Sequence, residues 1–351
     1  MASSTSPSTS PSGPAGPGRD QMSDLPLPST SLTRRNAWRS GDRLFRTGVS
    51  GAGWFVIVLL VGTALFLLVQ AWPALVHYGP FGFLGSTRWA PSEALPNEAD
   101  PNPYGILQFV YGSVLTSVIA MLIAVPVAVS VALYITDVAP AWLRRPVSYL
   151  VDLLAAIPSV VYGFWGIFAL IPAIRPVGQF LADTLGPIPV IGVAFTGPFF
   201  GVSYFTAGIV LAIMVLPIVT AICREVFAVA PIAEKEAALA LGATKWEMLR
   251  MAVLPRSRSG IVGAAILGIG RAIGETIAVT MVIGNNVLGI AKSILGQGAT
   301  MPSVIANEFT EANQPFHLPS LFVVALALLV VALIVNTAGK FVVRRVGKDI
   351  A

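Results

Sequence analysis

Two charged residues, Arg271 and Glu275, lie in the middle of an apolar stretch that runs from residue 259 to 284. The stretch has the length of a membrane-spanning helix, and a charge at that depth costs at least ~2.5 kcal/mol on insertion scales. The guanidinium of arginine offers parallel N–H donors to two oxygens of an oxyanion and stays charged at any relevant pH. Because intramembrane ionisable groups usually line a substrate path, the pair indicates a route for an anion.

The spacing of four residues predicts that Arg271 and Glu275 share one face of a helix. A salt bridge between them, with a purely structural role, is the alternative to a path-lining face. Gly270 and Gly274 flank the pair as a small-xxx-small repeat, which permits close approach by a second helix or by a ligand. We expect plain helix packing or a weaker path-lining role for these glycines.

Asp152 is a further acidic residue within a predicted span, near its start. We expect it to reach the inner membrane interface or to pair with Arg144 or Arg145, and a place near the pathway is the alternative.

The composition indicates a polytopic membrane protein, because 55% of the 351 residues are hydrophobic and only 11% are charged. Soluble domains carry about 25% charged residues. Six stretches are long enough to cross a bilayer, so the expected fold class is an all-α protein with six transmembrane helices. The predicted spans are 51–72, 105–136, 147–174, 202–223, 259–284 and 319–341. Pro126, Pro158 and Pro217 lie inside them and predict local kinks.

The distribution of Lys and Arg predicts that both termini are cytoplasmic. With that orientation only Arg88, Arg175 and Lys292 fall in outer segments, while Arg271 is intramembrane and the other basic residues lie inside. Anionic lipid headgroups against basic inner loops explain the net charge of +5, so no nucleic acid partner is needed.

The chain divides into three predicted regions. Residues 1–33 are rich in Ser, Thr, Pro and Gly and are expected to form a disordered cytoplasmic tail. Residues 34–50 are basic and amphipathic, which is typical of a helix on the inner membrane surface. Residues 51–345 form the transmembrane domain. The single cysteine, Cys223, excludes an internal disulfide and is expected to be an inert packing residue.

The loop over residues 224–258 is the most organised soluble segment. A strongly helix-forming stretch ends at Gly242, Thr244 and Glu247 then form a predicted capping box, and a second helix is expected to end before Pro255. The loop carries more apolar residues than a free surface loop needs, namely Ala237, Leu241, Trp246, Leu249 and Met251. Either these dock another protein or they pack under the transmembrane bundle.

The sequence EAALALGATKWEMLRMAVLP resembles the EAA loop of ABC-importer permeases. The matching residues are Glu236, Ala237, Ala238, Gly242, Leu254 and Pro255. Ala252 stands where the family usually has Ile. The resemblance implies that this element is the coupling helix, which sits in a groove of a cytoplasmic ATPase.

Residues 111–137, 153–170 and 269–280 are similar to the phosphate-specific ABC permeases, and the similarity covers roughly residues 50 to 345. The long first outer loop, with RWAP and YG, resembles the PstC type. The resemblance implies the type I ABC-importer permease fold in the bacterial plasma membrane. It also implies a second, PstA-type permease, two ATP-binding subunits and an extracytoplasmic phosphate-binding protein as partners.

This resemblance leads to a hypothesis for Glu275. Near neutral pH phosphate keeps at least one proton and sulfate keeps none, so a carboxylate accepts a hydrogen bond from phosphate and repels sulfate. Permeases of the family are implicated in transport at the matching Arg and Glu, which supports Arg271 and Glu275 as the substrate-binding pair.

No P-loop occurs in the sequence, so ATP hydrolysis is expected in a partner subunit and the chain is expected to be a non-catalytic transport subunit. We expect no cofactor and no metal site; His77 and His317 are lone residues in outer loops and are expected at the surface. The alternatives are a permease for sulfate or molybdate, an ATP-independent anion channel or secondary transporter, and a scaffold or sensor subunit.

Overall fold

The structure, a computed structural model, describes residues 35–91 and 103–348, and within them it is helical without a β-strand. The predicted tail over 1–33 lies outside the described residues. The helices are α1 (Arg35–Tyr78), α2 (Pro80–Gly85), α3 (Leu107–Leu133), α4 (Ala141–Ala156), α5 (Ser159–Trp165), α6 (Ile171–Leu185), α7 (Tyr204–Ala228), α8 (Ile232–Ala240), α9 (Lys245–Met248), α10 (Leu254–Gly274), α11 (Ile277–Ile283), α12 (Met301–Glu308) and α13 (His317–Lys348).

The apolar helices form five or six candidate membrane crossings, and the upper count agrees with the sequence prediction. Five helical stretches are long and apolar enough to span a bilayer, and a bent pair of helices is the sixth if it is counted as one span. The five are Leu44–Tyr78, Leu107–Val138, Ser159–Leu185, Tyr204–Ala228 and His317–Arg345, and the pair is Lys245–Gly274 with Ile277–Ile283. The membrane side on which α8 and α9 lie is called the loop side below.

The third span differs from its prediction over 147–174, because the helix is interrupted before Pro158. α4 ends at Ala156, Ile157 is extended, and α5 begins at Ser159. Proline disfavours helical backbone in the residue before it, which explains the extended Ile157. The crossing helix therefore runs from Ser159 to Leu185, and α4 is a separate helix on the loop side.

The chain divides into two compact units, Met1–Val61 and Gly62–Ala351, so the division falls within α1. α1 begins at Arg35 and continues without a break into the first span. The placement of residues 34–50 along the membrane surface stays a prediction.

The core of the second unit is the pair α3 and α7. Ala120, Ala124, Ala128 and Ala132 recur at intervals of four along α3, and all are fully buried. Small residues at this spacing let two helix backbones approach closely in a membrane. Cys223 lies in the same core and is 0% exposed, as expected for a packing residue. α10 packs against α3, α7 and α13, so the segment that carries Arg271 rests on this core.

Pro255 does not end the second helix of the 224–258 loop, contrary to the prediction. A π-helical turn over Leu249–Val253 precedes it, and α10 begins at Leu254 with the proline in its first turn. Proline is tolerated there because the first N–H groups of a helix need no intrahelical acceptor. The loop and the fifth span therefore form one helical stretch from Lys245 to Gly274.

Candidate translocation site and coupling loop

A bend in the fifth span is the central feature of the candidate site. α10 ends at Gly274, Glu275 has extended backbone (φ −72°, ψ 125°), and α11 starts at Ile277. The two helices meet at 65°. The Glu275 N–H donates to the carbonyl of Ala272 at 3.4 Å, and the Thr276 hydroxyl donates to that of Gly274 at 3.4 Å. The regular i to i−4 hydrogen bonding of the helix is thus interrupted at the bend.

Arg271 and Glu275 do not share one helix face, so that prediction is wrong. The extended backbone of Glu275 takes its side chain off the α10 register. Arg271 is exposed in the last turn of α10 and Glu275 is half-buried. Within the described chain no salt bridge joins them. A cation in the last turn of a helix is favoured by the helix dipole, which offsets part of the cost of placing Arg271 in an apolar stretch.

The two glycines beside this pair have different surroundings. A Cβ at Gly270 would lie 3.7 Å from Oδ1 of Asn336, which places Gly270 against α13. A Cβ at Gly274 would meet nothing within 4 Å, so this residue borders open space at the bend. Gly270 is therefore in a helix contact, and Gly274 is the glycine with room for an approaching group.

The third span, close to its start, packs against the interrupted fifth span. A Cβ at Gly163 of α5 would lie 3.3 Å from Cα of Ala278 in α11, so the two backbones are close. The Tyr162 hydroxyl donates to the Leu154 carbonyl at 2.8 Å and so joins α5 to α4 across the break at Pro158.

An interrupted span packed against a second span is suited to binding a polar ligand inside a membrane. Irregular backbone at membrane depth is tolerated only where it is buried in protein or lines a water-filled cavity. Discontinuous helices near the midplane form the substrate sites of many transporters. Arg271 supplies a fixed positive charge at this place, and Glu275 supplies acceptor oxygens. The arrangement can bind an anion that carries a proton.

The turn at Gly242 and the capping box of the 224–258 loop are formed as the sequence predicts. α8 is followed by Gly242 with φ +86°, a conformation in which a side chain would be strained. The Thr244 side chain accepts from the Glu247 N–H, and the Glu247 carboxylate accepts from the Thr244 N–H at 2.8 Å, which confirms the capping box. These hydrogen bonds lower the pKa of Glu247 below its usual value.

Four of the five predicted apolar residues in this loop are exposed: Ala237, Leu241 by 89%, Trp246 by 63% and Met251 by 60%. Leu249 is instead buried, and it packs in the core with Val253. Among the residues that match the EAA pattern, Glu236, Ala237 and Gly242 are exposed. The half-buried ones are Ala238, Leu254 and Pro255. The loop therefore presents an apolar surface on one side and is anchored in the bundle by the other.

An ion pair that sequence reasoning missed fixes α8 to the rest of the bundle. Lys235 Nζ donates to Asp137 Oδ1 at 2.6 Å, and the two side chains are only 17% and 9% exposed. Asp137 lies in a π-helical turn that extends α3. A longer and more exposed pair, Arg256 with Glu234 at 3.7 Å, joins α8 to α10. The two ion pairs thus connect the loop to two spans. The Lys235–Asp137 pair could not be predicted from local sequence, because its residues are 98 positions apart.

Asp152 pairs with Arg224 rather than with Arg144 or Arg145. Arg224 Nη2 lies 3.4 Å from Asp152 Oδ1, and this contact joins α4 to the end of α7 on the loop side. The break at Pro158 separates α4 from the crossing helix, which explains why Asp152 is not carried into the third span. Its predicted alternative place near the pathway is not supported by this pairing.

On the side opposite the loop, His317 is buried and not at the surface as predicted. Its Nε2 lies 2.8 Å from Glu308 Oε2, and the same carboxylate oxygen accepts from Trp89 Nε1 at 2.7 Å. Trp89 is 1% exposed and His317 is 5% exposed. This cluster holds the segment before α3 to α12 and α13. His77 is exposed, in agreement with its prediction.

No group of three His, Cys, Asp or Glu side chains within residues 35–91 and 103–348 is arranged to hold a metal ion. The candidate site is therefore described by its protein groups.

Comparison with known proteins identifies the family. The family that matches residues 124–348 is described as "binding-protein-dependent transport system inner membrane component", and these residues include the third and fifth spans and the 224–258 loop. The chain belongs to this family. Membership confirms the resemblance seen in the sequence, and the chain is a multi-pass inner-membrane component.

Its similar relatives include phosphate transport system permease proteins of the PstC type. The chain is 44% identical to that of Xylella fastidiosa (strain 9a5c), over 83% of this chain and 89% of the relative. It is 40% identical to PstC 2 of Mycobacterium tuberculosis, over 86% and 91%. A solved structure of the MetNI methionine ABC transporter in an inward-facing conformation is similar with a TM-score of 0.47 and 19% identity, over 69% of this chain and 94% of that one.

Proposed function

We propose that this inner-membrane component is the permease subunit of an ATP-driven importer of inorganic phosphate and forms half of the translocation pathway. The observation that carries the proposal is the bend of the fifth span just after Arg271, where α11 packs against α5, in a chain whose relatives are phosphate transport permeases. The loop side is the cytoplasmic side in this proposal, because Lys and Arg residues concentrate there.

Arg271 binds two oxygens of the anion, and Glu275 accepts the hydrogen bond of a P–OH group. The bend supports these roles because it separates the two side chains, so their charges are not consumed in a mutual ion pair. Gly274, beside open space, leaves the anion room to reach the backbone. A fully deprotonated anion such as sulfate loses the hydrogen bond and meets the repulsion of the carboxylate.

The 224–258 loop is the ATPase-coupling element. Its exposed apolar surface, centred on Leu241 and Trp246, fits a groove in an ATP-binding subunit. Gly242 provides the sharp turn between α8 and α9, and Glu236, Ala237 and Ala238 form the adjoining turns of α8. Leu254 and Pro255 carry the helix into the fifth span.

The assembly contains a second, PstA-type permease, two ATP-binding subunits and an extracytoplasmic phosphate-binding protein. Family membership supports a binding protein and an ATP-driven system. ATP hydrolysis takes place in the partner subunits, and alternating access requires two conformations of the bundle. The residues of the second permease complete the site around Arg271.

The deciding experiment measures phosphate-dependent ATPase activity and phosphate uptake by the complex reconstituted in vesicles. Arg271→Gln should abolish the phosphate dependence of both, while Arg175→Gln, an equally exposed arginine on α6, should leave both within twofold. Uptake that continues without ATP would contradict the proposal and favour a channel or a secondary transporter. Retained phosphate dependence in Arg271→Gln would remove Arg271 from the pathway.

The role of Glu275 is tested by competition between phosphate and sulfate. Glu275→Gln keeps the size of the side chain and removes its charge, so sulfate should inhibit phosphate uptake more strongly than in the unmodified protein. A preference for phosphate that does not change would remove the discriminating role of Glu275.

A further inference from the structure

A cavity of about 460 Å³ lies on the loop side, between α4 and the ends of α3 and α7. Its lining includes the three arginines Arg144, Arg145 and Arg224 and one acidic residue, Asp152. None of the residues at the bend of the fifth span lines it. The cavity is therefore a second basic site, separate from the one assigned to translocation.

The arginines of this cavity carry positive charge in excess. Arg224 is paired with Asp152 at 3.4 Å, so these two charges offset each other. Arg144 Nη2 donates to the Ala139 carbonyl at 3.4 Å, which orients the guanidinium without neutralising it. Arg145 has no carboxylate within salt-bridge distance in the described chain. Two guanidinium groups thus remain available to an anion.

α4 has the surface of a helix at the boundary between lipid and water. Trp142 is 74% exposed and Tyr149, which also lines the cavity, is 67% exposed. Trp and Tyr are enriched where membrane headgroups lie, because their rings are apolar at one end and polar at the other. Leu150 and Leu153 on the same helix are also exposed. This surface is typical of a helix at the headgroup level, where phosphate groups lie.

We propose that this cavity binds a phosphate group, with Arg144 and Arg145 as its principal donors. Guanidinium groups bind phosphate oxygens through paired hydrogen bonds, and Tyr149 offers a hydroxyl beside them. The same chemistry is presented by the headgroup of an anionic phospholipid and by free inorganic phosphate. The site goes beyond the proposed transport function, because it is occupied whether or not Arg271 takes part in translocation.

The first test measures lipid retention by native mass spectrometry on the assembled complex, in nanodiscs with and without phosphatidylglycerol. Arg144→Gln/Arg145→Gln should weaken retention of phosphatidylglycerol roughly 30-fold, from about 1 kcal/mol for each basic residue at the surface. The matched control is Arg344→Gln/Arg345→Gln, two neighbouring arginines near the end of α13 on the same side. These arginines also lie near the membrane surface, so this control measures the general electrostatic attraction, and its loss of retention should be clearly smaller than that of the cavity variant.

The second test measures binding of radiolabelled inorganic phosphate to the same complex in neutral lipid. Both variants are made in an Arg271→Gln background, so that the translocation site does not contribute. A loss that is clearly larger in the Arg144/Arg145 variant than in the control, in one test, supports the cavity and identifies the source of the phosphate group. No loss in either test, or equal losses in both arginine pairs, would overturn the proposal. If the double variant does not assemble, Arg145→Gln alone, expected to be about fivefold weaker, decides the question.

Discussion

Removing one partner of the Lys235–Asp137 ion pair should separate ATP hydrolysis from transport. The pair joins α8 of the 224–258 loop to the π-helical end of α3, and α3 packs along α7 in the core. A motion imposed on α8 therefore reaches the bundle through this contact. Lys235→Met removes the contact and leaves the Asp137 carboxylate without its partner.

The free energy lost in Lys235→Met follows from the distance and the burial of the Lys235–Asp137 pair. At 2.6 Å the Coulomb attraction is about 6 kcal/mol at an effective dielectric constant of 20, before the cost of desolvation. Asp137 Oδ2 is already buried without a hydrogen-bond partner, so the carboxylate depends on Lys235. Breaking a buried pair from one side costs about 3–5 kcal/mol. The exposed Arg256–Glu234 pair, with side chains 50% and 43% exposed, should contribute less than about 1 kcal/mol.

The assay compares thermal inactivation, phosphate-stimulated ATPase activity and phosphate uptake of reconstituted complexes. Lys235→Met should lower the phosphate taken up per ATP hydrolysed, whereas Arg256→Met should resemble the unmodified protein. The exchanged pair Lys235→Asp/Asp137→Lys should regain part of both stability and coupling. Equal behaviour of Lys235→Met and Arg256→Met, or no recovery in the exchanged pair, would refute the reasoning.

Three further predictions concern the two ends of the bundle. Glu308→Gln should weaken two buried hydrogen bonds and lower stability by about 1–3 kcal/mol, seen as a lower thermal midpoint; an unchanged midpoint would contradict it. Trp246→Ala should leave the midpoint unchanged and reduce co-purification of the ATP-binding subunits, and normal co-purification would remove Trp246 from the docking surface. Because its folded-state pKa is lowered, Glu247 stabilises the capping box above its unfolded pKa, and this contribution is lost as pH falls through the lowered value. Hydrogen exchange at the Thr244 amide, corrected for intrinsic rates, should lose protection on acidification, and Glu247→Gln should show no such change.

Features that depend on neighbours in the sequence were predictable. The six apolar stretches predicted the number of candidate spans, because about 20 apolar residues are needed to cross a bilayer. Gly242 and the capping box of Thr244 and Glu247 were also predictable, since their hydrogen bonds close within three residues. The position of Arg271 inside an apolar stretch could also be read directly from the sequence.

Features that depend on distant packing were not predictable from one sequence. The bend at Glu275 lies where α11 packs on Gly163 of α5, more than 100 positions away, and a regular helix was expected there. Asp152 pairs with Arg224 and not with the predicted arginines. The reason is that the crossing helix begins after the break at Pro158, which leaves α4 on the loop side. His317 looked like a surface residue because the local sequence does not show that Glu308 bridges it to Trp89, which is 219 positions from Glu308.

In the proposed coupling, the helical stretch from Lys245 to Gly274 is a lever with the proposed docking surface at one end and Arg271 near the other. At 1.5 Å per residue its length is about 45 Å, so a tilt of about 10° at the loop end displaces the far end by about 8 Å. That displacement exceeds the reach of a hydrogen bond. If Arg271 binds the anion as proposed, a small rotation at the loop end is therefore enough to move its guanidinium out of contact with the anion.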